Sequence, residues 1–411
     1  MMRKVLLIMS AIGLLAGCGD HSADAPKDNG PISKSVDIDP KLADATNRFG
    51  FALFHQLEKD GNTVLISPAS VDIALSMTYN GAAGETQAGM AKALFLDGMS
   101  LDSLNKTQQA LRDLLQNPSS DITLAIANSL WSRQGFVFDT VFLANTRDYY
   151  SARVTELDFA DPNAAGTINS WVSENTRGKI PKILDQVASD AILYLINAVY
   201  FKGTWTYQFD KTKTRDLVFH HPSGDQPCQM MVQDNEFEYR ADGLVQMVRL
   251  PYGKSEQFAM YVLLPRPGIT LGALADSLDF ARWQEWTAEL TKRKGTVLLP
   301  RFTLDFDASL NEPLQALGME AAFNPGGADF SKMIRLPGQN VFISNVKHKT
   351  FMEVNEEGTE AAAVTSVEVG ATAFEEPDVP FTMIVDRPFF CAIADKESGI
   401  ILFMGTVGEF E

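Results

Sequence analysis

Histidine and cysteine, on which most metal and nucleophilic chemistry depends, are scarce in this chain: five and three among 411 residues. There is no C-x-x-C pair, H-E-x-x-H helix, G-x-S-x-G elbow, Walker loop or dinucleotide fingerprint. The familiar zinc, serine-hydrolase, nucleotide and redox enzymes are thereby removed, and no cofactor or metal is expected. His21 falls in a polar coil. His220 and His221 precede Pro222 and Gly224 in what reads as a turn, without identifiable partners for a metal. His348 stands alone in a strand, where a hydrogen-bonded structural role is usual. Positive charge is short as well: the formal net charge is −17, and without a basic patch nucleic acid is a poor partner. No internal repeat is visible. No apolar run reaches the length of about 18 residues that a membrane-spanning helix needs.

What is present begins at the N-terminus. Arg3 and Lys4 precede an apolar stretch from Val5 to Ala16, short enough for the core of a secretory signal. It ends in Leu15-Ala16-Gly17-Cys18, which resembles the lipobox of bacterial lipoproteins: small residues admit a peptidase, and the Cys18 thiol takes the lipid. The alternative is a plain signal peptide that happens to contain a cysteine. Residues 1–17 are thus expected to be the leader, 18–39 a flexible tether rich in polar residues and breakers, and 40–411 one globular domain. Such a tether reaches about 25 Å. Gly19, rather than an aspartate, follows the lipidated position, and by the same resemblance it favours the outer membrane or cell surface. Of the other cysteines, Cys391 sits in an apolar run and reads as a small buried hydrophobe, whereas Cys228 carries no signal. So few cysteines in so long a chain make no disulfide framework.

From Pro40 onward helix starts are legible. Asp39-Pro40, Ser67-Pro68 and Asp161-Pro162 each set a capping oxygen before a proline suited to the first turn. The first of these helices carries Leu42, Ala45, Phe49, Leu53 and Leu57 on one face and is expected to stop at Gly61; the third is expected to stop at Gly178. Ile122, Leu124 and Ile126 alternate as a half-buried strand would. Beyond about residue 190 strands dominate: 192–201, 258–264, 296–306, 341–354, 381–394 and 400–407 read as extended, with 283–292 the main helical interruption. Helices first and strands later indicate an α+β domain with large mixed sheets.

The informative stretch runs from Glu356 to Phe374. Read with period two, Thr359, Ala361, Ala363, Thr365, Val367, Val369 and Ala371 share one parity and are all small or apolar. Glu360, Ser366 and Glu368 fall on the other. No proline occurs until Pro377. A segment so built can be a loop, yet it can also become a central strand with one dry face and hydrogen bonds on both edges.

The run Glu356-Glu357-Gly358-Thr359-Glu360-Ala361-Ala362-Ala363 resembles the hinge of inhibitory serpins. The resemblance extends over nearly the whole chain after the tether. Ser67-Pro68-Ala69-Ser70 is similar to the family's shutter segment, and Asn197-Ala198-Val199-Tyr200-Phe201-Lys202-Gly203-Thr204-Trp205 to its breach strand. His348-Lys349 precedes the hinge as in the family, and Val385-Asp386-Arg387-Pro388-Phe389-Phe390 is similar to its C-terminal signature. The resemblance implies a fold of three β-sheets and about nine helices with an exposed reactive-centre loop. It implies no catalytic residue but a suicide inhibitor of serine endopeptidases, with cysteine endopeptidases as a further class. The protease attacks the loop, and the acylated loop inserts into the central sheet. The partner is then the target protease in covalent complex, and the chain a monomer tethered to a membrane by its lipid.

Position by position, the resemblance makes Glu356, Gly358, Thr359, Glu360, Ala361, Ala362 and Ala363 the hinge. It puts Ser67, Ser70, Asn197 and His348 in a polar cluster beneath the sheet opening. Trp205 packs where the hinge enters, and Glu356 pairs with Arg301. The residue fourteen places after Gly358 is Thr372, which sets the reactive bond at Thr372–Ala373; counting back from Pro388 drifts toward Phe374 or Pro377. Small neighbours favour an elastase-like or subtilisin-like protease, and the lack of Arg or Lys disfavours a trypsin-like one. A non-inhibitory serpin acting as a carrier is the alternative function. A hydrolase sharing only strand patterns has no nucleophile–base pair to offer.

Overall fold

α1 (Pro40–Leu57) starts as its sequence requires. The Asp39 carboxylate accepts a hydrogen bond from the Lys41 N–H at 2.9 Å, and Pro40 occupies the first turn. The helix ends at Glu58, before Gly61, whose φ of +81° serves the turn beyond. α2 (Pro68–Tyr79) is buried along nearly its whole surface. Ser67 holds its N-cap place, but the hydroxyl makes no capping bond. α3 (Gly84–Ala93), α4 (Leu101–Gln116) and α5 (Thr140–Tyr150) follow. α6 (Ala164–Asn175) begins later than Asp161-Pro162 suggests, because the Asp161 carboxylate accepts from the Asn163 N–H at 2.8 Å and makes a turn ahead of the helix. It closes at Thr176, leaving Gly178 in the following turn. α7 (Leu271–Ser277) precedes α8 (Phe280–Ala288), which starts earlier than expected at the Asp279 cap and gives way to a strand at Thr291. Three short pieces, Asn311–Leu314, Gln315–Met319 and Glu320–Phe323, form one last helical run kinked at Gly318.

The computed structural model describes residues 38–59, 61–116, 121–335, 341–359 and 379–409. The leader, Cys18 and the tether to residue 37 lie outside the described residues, as do Glu360, Ala361, Ala362, Ala363, Thr372, Ala373 and Phe374. Among the described residues no helix is long and apolar enough to cross a membrane.

The strands are β1 (Val64–Ile66), β2 (Ile122–Arg133), β3 (Arg153–Leu157), β4 (Leu193–Thr204), β5 (Arg215–His221), β6 (Gly224–Ala241), β7 (Val245–Pro251) and β8 (Phe258–Pro265). There follow β9 (Thr291–Pro300), β10 (Phe302–Ser309), β11 (Asn345–Asn355), β12 (Gly358–Thr359), β13 (Phe381–Ile384), β14 (Phe389–Asp395) and β15 (Ile401–Val407). Three segments differ from what the sequence pattern leads one to expect. The stretch 296–306 is broken at Arg301, whose N–H turns to the Gln229 carbonyl at 2.8 Å. The stretch 341–354 becomes a strand only at Asn345, since the N–H groups of Ile343 and Ser344 bond Ala322 and Leu193 instead. The stretch 381–394 is interrupted around Pro388, which has no N–H to give a ladder.

β10-β11-β12-β4-β2-β3 form one sheet. The other strands form two sets, β1-β15-β14-β8-β7 and β5-β6-β9-β13, joined through the long β6: its residues 224–230 pair with β5, 230–239 with β9 and 238–241 with β7. A second hydrophobic cluster sits between α6, the segment after it, and the six-stranded sheet; it holds Ile168, Val172 and Ile180 against Ala127, Trp131, Ile196 and Ala198. The candidate functional feature is the seam between β4 and β11. These strands run parallel, pairing Tyr194–Tyr200 with Asn345–Phe351. Val346, His348, Thr350, Met352 and Val354 of β11 point into the body, with the intervening residues half-buried on the α6 side.

Candidate functional site

At the end of the seam, the chain turns after β11 and returns as β12. Gly358 and Thr359 lie between the two strands, antiparallel to both: Thr359 pairs with Val354 and with Gly203, Gly358 with Asn355 and with Thr204. Two residues of the expected hinge are therefore already part of the sheet, and Thr359 is fully buried. Gly358 is required there. Its φ is +150°, and a Cβ would stand 2.0 Å from the Gly203 carbonyl oxygen. The Thr359 hydroxyl is 2.8 Å from the Tyr252 hydroxyl beneath it.

The turn 355–358 is held from both sides. Trp205 stacks on Tyr252 with ring centroids 4.3 Å apart, donates its indole N–H to the Asn355 carbonyl at 2.9 Å, and gives its backbone N–H to Glu357. The Glu356 carboxylate, 2% exposed as a side chain, accepts the Arg301 Nε–H shared between its two oxygens at 2.8 Å each, a bond from the same guanidinium's Nη2, and one from the Thr214 hydroxyl. Burial pushes the Glu356 carboxyl up, but Arg301 and Thr214 outweigh it and hold the group below its ordinary value. Lys211 forms an ion pair with Glu357. Arg301 owes its place to the break between β9 and β10.

Deeper along the seam lies the polar cluster. His348 and Asn197 are direct cross-strand partners. His348 Nδ1–H donates to Asn197 Oδ1 at 2.5 Å, and Nε2 accepts the Ser67 backbone N–H at 3.1 Å. Because Oδ1 can only accept and the amide can only donate, this geometry assigns the neutral Nδ1–H tautomer. A second ring proton would face the Ser67 N–H, and burial accordingly lowers the His348 pKa to about 3. Asn197 Nδ2 donates to Ser70 Oγ at 2.6 Å, to the Ser70 carbonyl at 3.1 Å, and to Asn128 Oδ1. Ser67, Ser70, Asn197 and His348 thus converge, though Ser67 takes part through its backbone.

Sequence reasoning missed Tyr252, Lys211, Thr214 and Asn128. Only Asn128 left a trace: it is the polar residue that continues the row Ile122-Leu124-Ile126. Of the other residues singled out, Cys391 is buried, and burial pushes its thiol up to about 12. Cys228 is buried and unpaired in a disulfide sense. His220 and His221 end β5, just before the β5–β6 turn, and bond to Asp225 and Ser223 at 2.9 and 2.6 Å. No cluster among the described residues is placed to hold a metal.

The arrangement is a seam of parallel strands, with a polar cluster across its middle and a third strand begun at its mouth. The family model described as Serpin (serine protease inhibitor) matches residues 44–409. An uncharacterized serpin-like protein of Thermococcus kodakarensis is 32% identical, over 98% of this chain and 98% of its own. The leukocyte elastase inhibitor of Bos taurus is 36% identical, over 89% of this chain and 98% of its own. Among solved structures, the native state of a thermophilic serpin, tengpin, superposes with a TM-score of 0.83 at 34% identity, covering 91% of this chain and 95% of that one.

Proposed function

Since the chain belongs to the serpin family, whose inhibitory members bind target proteases, we propose that it is a suicide inhibitor of serine endopeptidases, with elastase-like or subtilisin-like enzymes as targets. The observation that carries this reading is β12. The hinge stands in register between β4 and β11, so lengthening it requires only that the seam part ahead of it.

If β12 lengthens in the register it has begun, the partners of the next residues follow from it. Continuing from Thr359, Ala361 would enter between Met352 and Phe201, Ala363 between Thr350 and Val199, and Thr365 between His348 and Asn197. These are the inward positions, and each is small or apolar in the sequence. At Thr365 the incoming strand would sever the His348–Asn197 bond, and the threonine hydroxyl would be on hand for the released groups. Insertion exchanges one parallel ladder for two antiparallel ones, a gain in strand pairing that favours the longer sheet.

The chemistry belongs to the protease. Its serine oxygen attacks the Thr372 carbonyl carbon, the Thr372–Ala373 bond breaks, the amine of Ala373 leaves with the proton, and Thr372 remains as an ester. Insertion of about fourteen residues at roughly 3.3 Å each would move that ester about 45 Å before water completes hydrolysis. The same reading places a lipid on Cys18, tethering a monomeric inhibitor to a bacterial outer membrane or cell surface, with no enzymatic activity of its own.

Incubation with elastase-like, subtilisin-like, chymotrypsin-like and trypsin-like proteases tests this. The expected result is a complex that survives SDS and, on mass analysis, a released fragment beginning at Ala373. A fragment beginning at Glu375 moves the bond to Phe374. Loop cleavage without any SDS-stable complex across the panel would sink inhibition and leave a carrier role. Cys18→Ser should release the protein from membranes; unchanged fractionation would mean another anchor.

A further inference from the structure

On the outer face of the six-stranded sheet, α6 and the segment after it pack chiefly on β2 and β4; Phe351 is the β11 residue that joins their cluster. Phe351 is the direct cross-strand partner of Tyr200, and their ring centroids are 6.3 Å apart across the seam. Above this pair lies Lys179. Its ammonium is 5.9 Å from the Tyr200 ring and 5.7 Å from the Phe351 ring, within the range of a cation–π contact with each. The backbone holds it there. Arg177 and Gly178 both adopt positive φ, +55° and +77°, which ends α6 sharply; Lys179 N–H then bonds Thr176 O at 3.0 Å, and Ile180 is buried next to it.

We propose that half-buried Lys179 is a latch: its ammonium, shared between Tyr200 and Phe351, holds β4 and β11 together and sets how readily the sheet admits a further strand. Lys179 is thereby a positioning residue for insertion, and the proposal rests on the insertion mechanism above. The register supplies the reason. Three residues on from Thr359, counted against β11 or against β4, the incoming residue is Ala362 both times, and its partners are Phe351 and Tyr200. A strand placed there doubles the separation of the two backbones from about 4.8 to about 9.6 Å, so one ammonium no longer covers both rings. Only the closed sheet makes the double contact, and a contact made in one state alone shifts the balance toward that state. Ala362 is small enough to pass beneath the ammonium.

The test needs no protease. The chain from Cys18 onward, as wild type, Lys179→Met and Lys179→Arg, is incubated with a synthetic peptide copying residues 358–372, and incorporation is followed by the rise in thermal stability. Methionine keeps the apolar stem without charge, and arginine restores the cation. Incorporation is expected to be about 2- to 5-fold faster in Lys179→Met and near wild type in Lys179→Arg. If the peptide enters all three at one rate, or if the arginine variant behaves like the methionine variant, the latch is wrong while insertion stands. If the peptide enters none of them, the insertion mechanism itself fails, and the latch with it.

Discussion

Two seams in this molecule differ in their chemistry. β8, β14 and β15 are buried at every residue and pair antiparallel, with Phe390 packed edge-on against Phe54 at 5.5 Å. β4 and β11 pair parallel, and beside apolar pairs such as Leu195 with Val346 their seam is crossed by a histidine–asparagine hydrogen bond, a ring pair and a shared lysine. Area removed from water chiefly holds the first together. The second adds directional contacts, which on the proposed mechanism an inserted strand would replace. The difference teaches how a proposal of opening can be localised: apolar area dominates one seam, and a buried polar lock crosses the other.

The sharpest way to break this contrast is to strike each seam separately. Phe390→Ala should cost about 3–5 kcal/mol in urea unfolding while still forming covalent complex at temperatures where it stays folded. Loss of complex without loss of stability would reverse the assignment. Thr359→Arg should block complex instead. Thr359 is already buried between β4 and β11, so the cation should unseat β12 and forfeit its strand pairing and its bond to Tyr252; returning it to the sheet during insertion costs several kcal/mol, so cleaved chain should accumulate in place of complex. Undiminished complex would count heavily against insertion through this seam.

A change of pH reaches the second seam through His348. An ordinary histidine titrates near 6.5, whereas His348 in the folded chain does so at about 3. The contribution is full above pH 6.5 and is lost progressively as pH falls toward 3, because only the unfolded chain takes up the proton there. Between pH 7 and 5 this amounts to about 2 kcal/mol. The buried Asp72, bonded to Thr46, Gln108 and Ser76, has its carboxyl raised by burial and works in the opposite sense, so His348→Gln is the needed control. The variant should flatten the acid side of the stability curve; an unchanged slope would place the sensitivity elsewhere. The smallest effect expected is at the mouth of the seam. Arg301→Ala leaves the Glu356 carboxylate with the Thr214 hydroxyl and its own backbone N–H, and since Arg301 is itself part-exposed the cost should be about 1–2 kcal/mol, read as a lower melting temperature. No shift would mean that those two bonds suffice.

Much of the fold and of the seam is legible in the sequence, and the legible parts share a scale. A cap such as Asp39 acts over two residues, and the alternation from Thr359 to Ala371 is a property of consecutive residues whatever they later pair with. Local pattern misleads where a proline or an arginine inside an apolar run diverts the backbone to a distant partner, as at Arg301 and Pro388. Helix α6 begins late because Asp161 has a nearer N–H to bind than the one capping would require.

By itself the sequence determined which residues could form a half-buried strand and where α1 and α2 begin, since each rests on residue type and local spacing. Only the tertiary structure decided that His348 faces Asn197, that Tyr252 lies under Thr359, and that Lys179 stands over two rings. Those meetings depend on the register between strands far apart in the chain. A shift of one residue would turn every inward side chain outward, and no local pattern encodes which register wins; packing of the whole sheet against its core does.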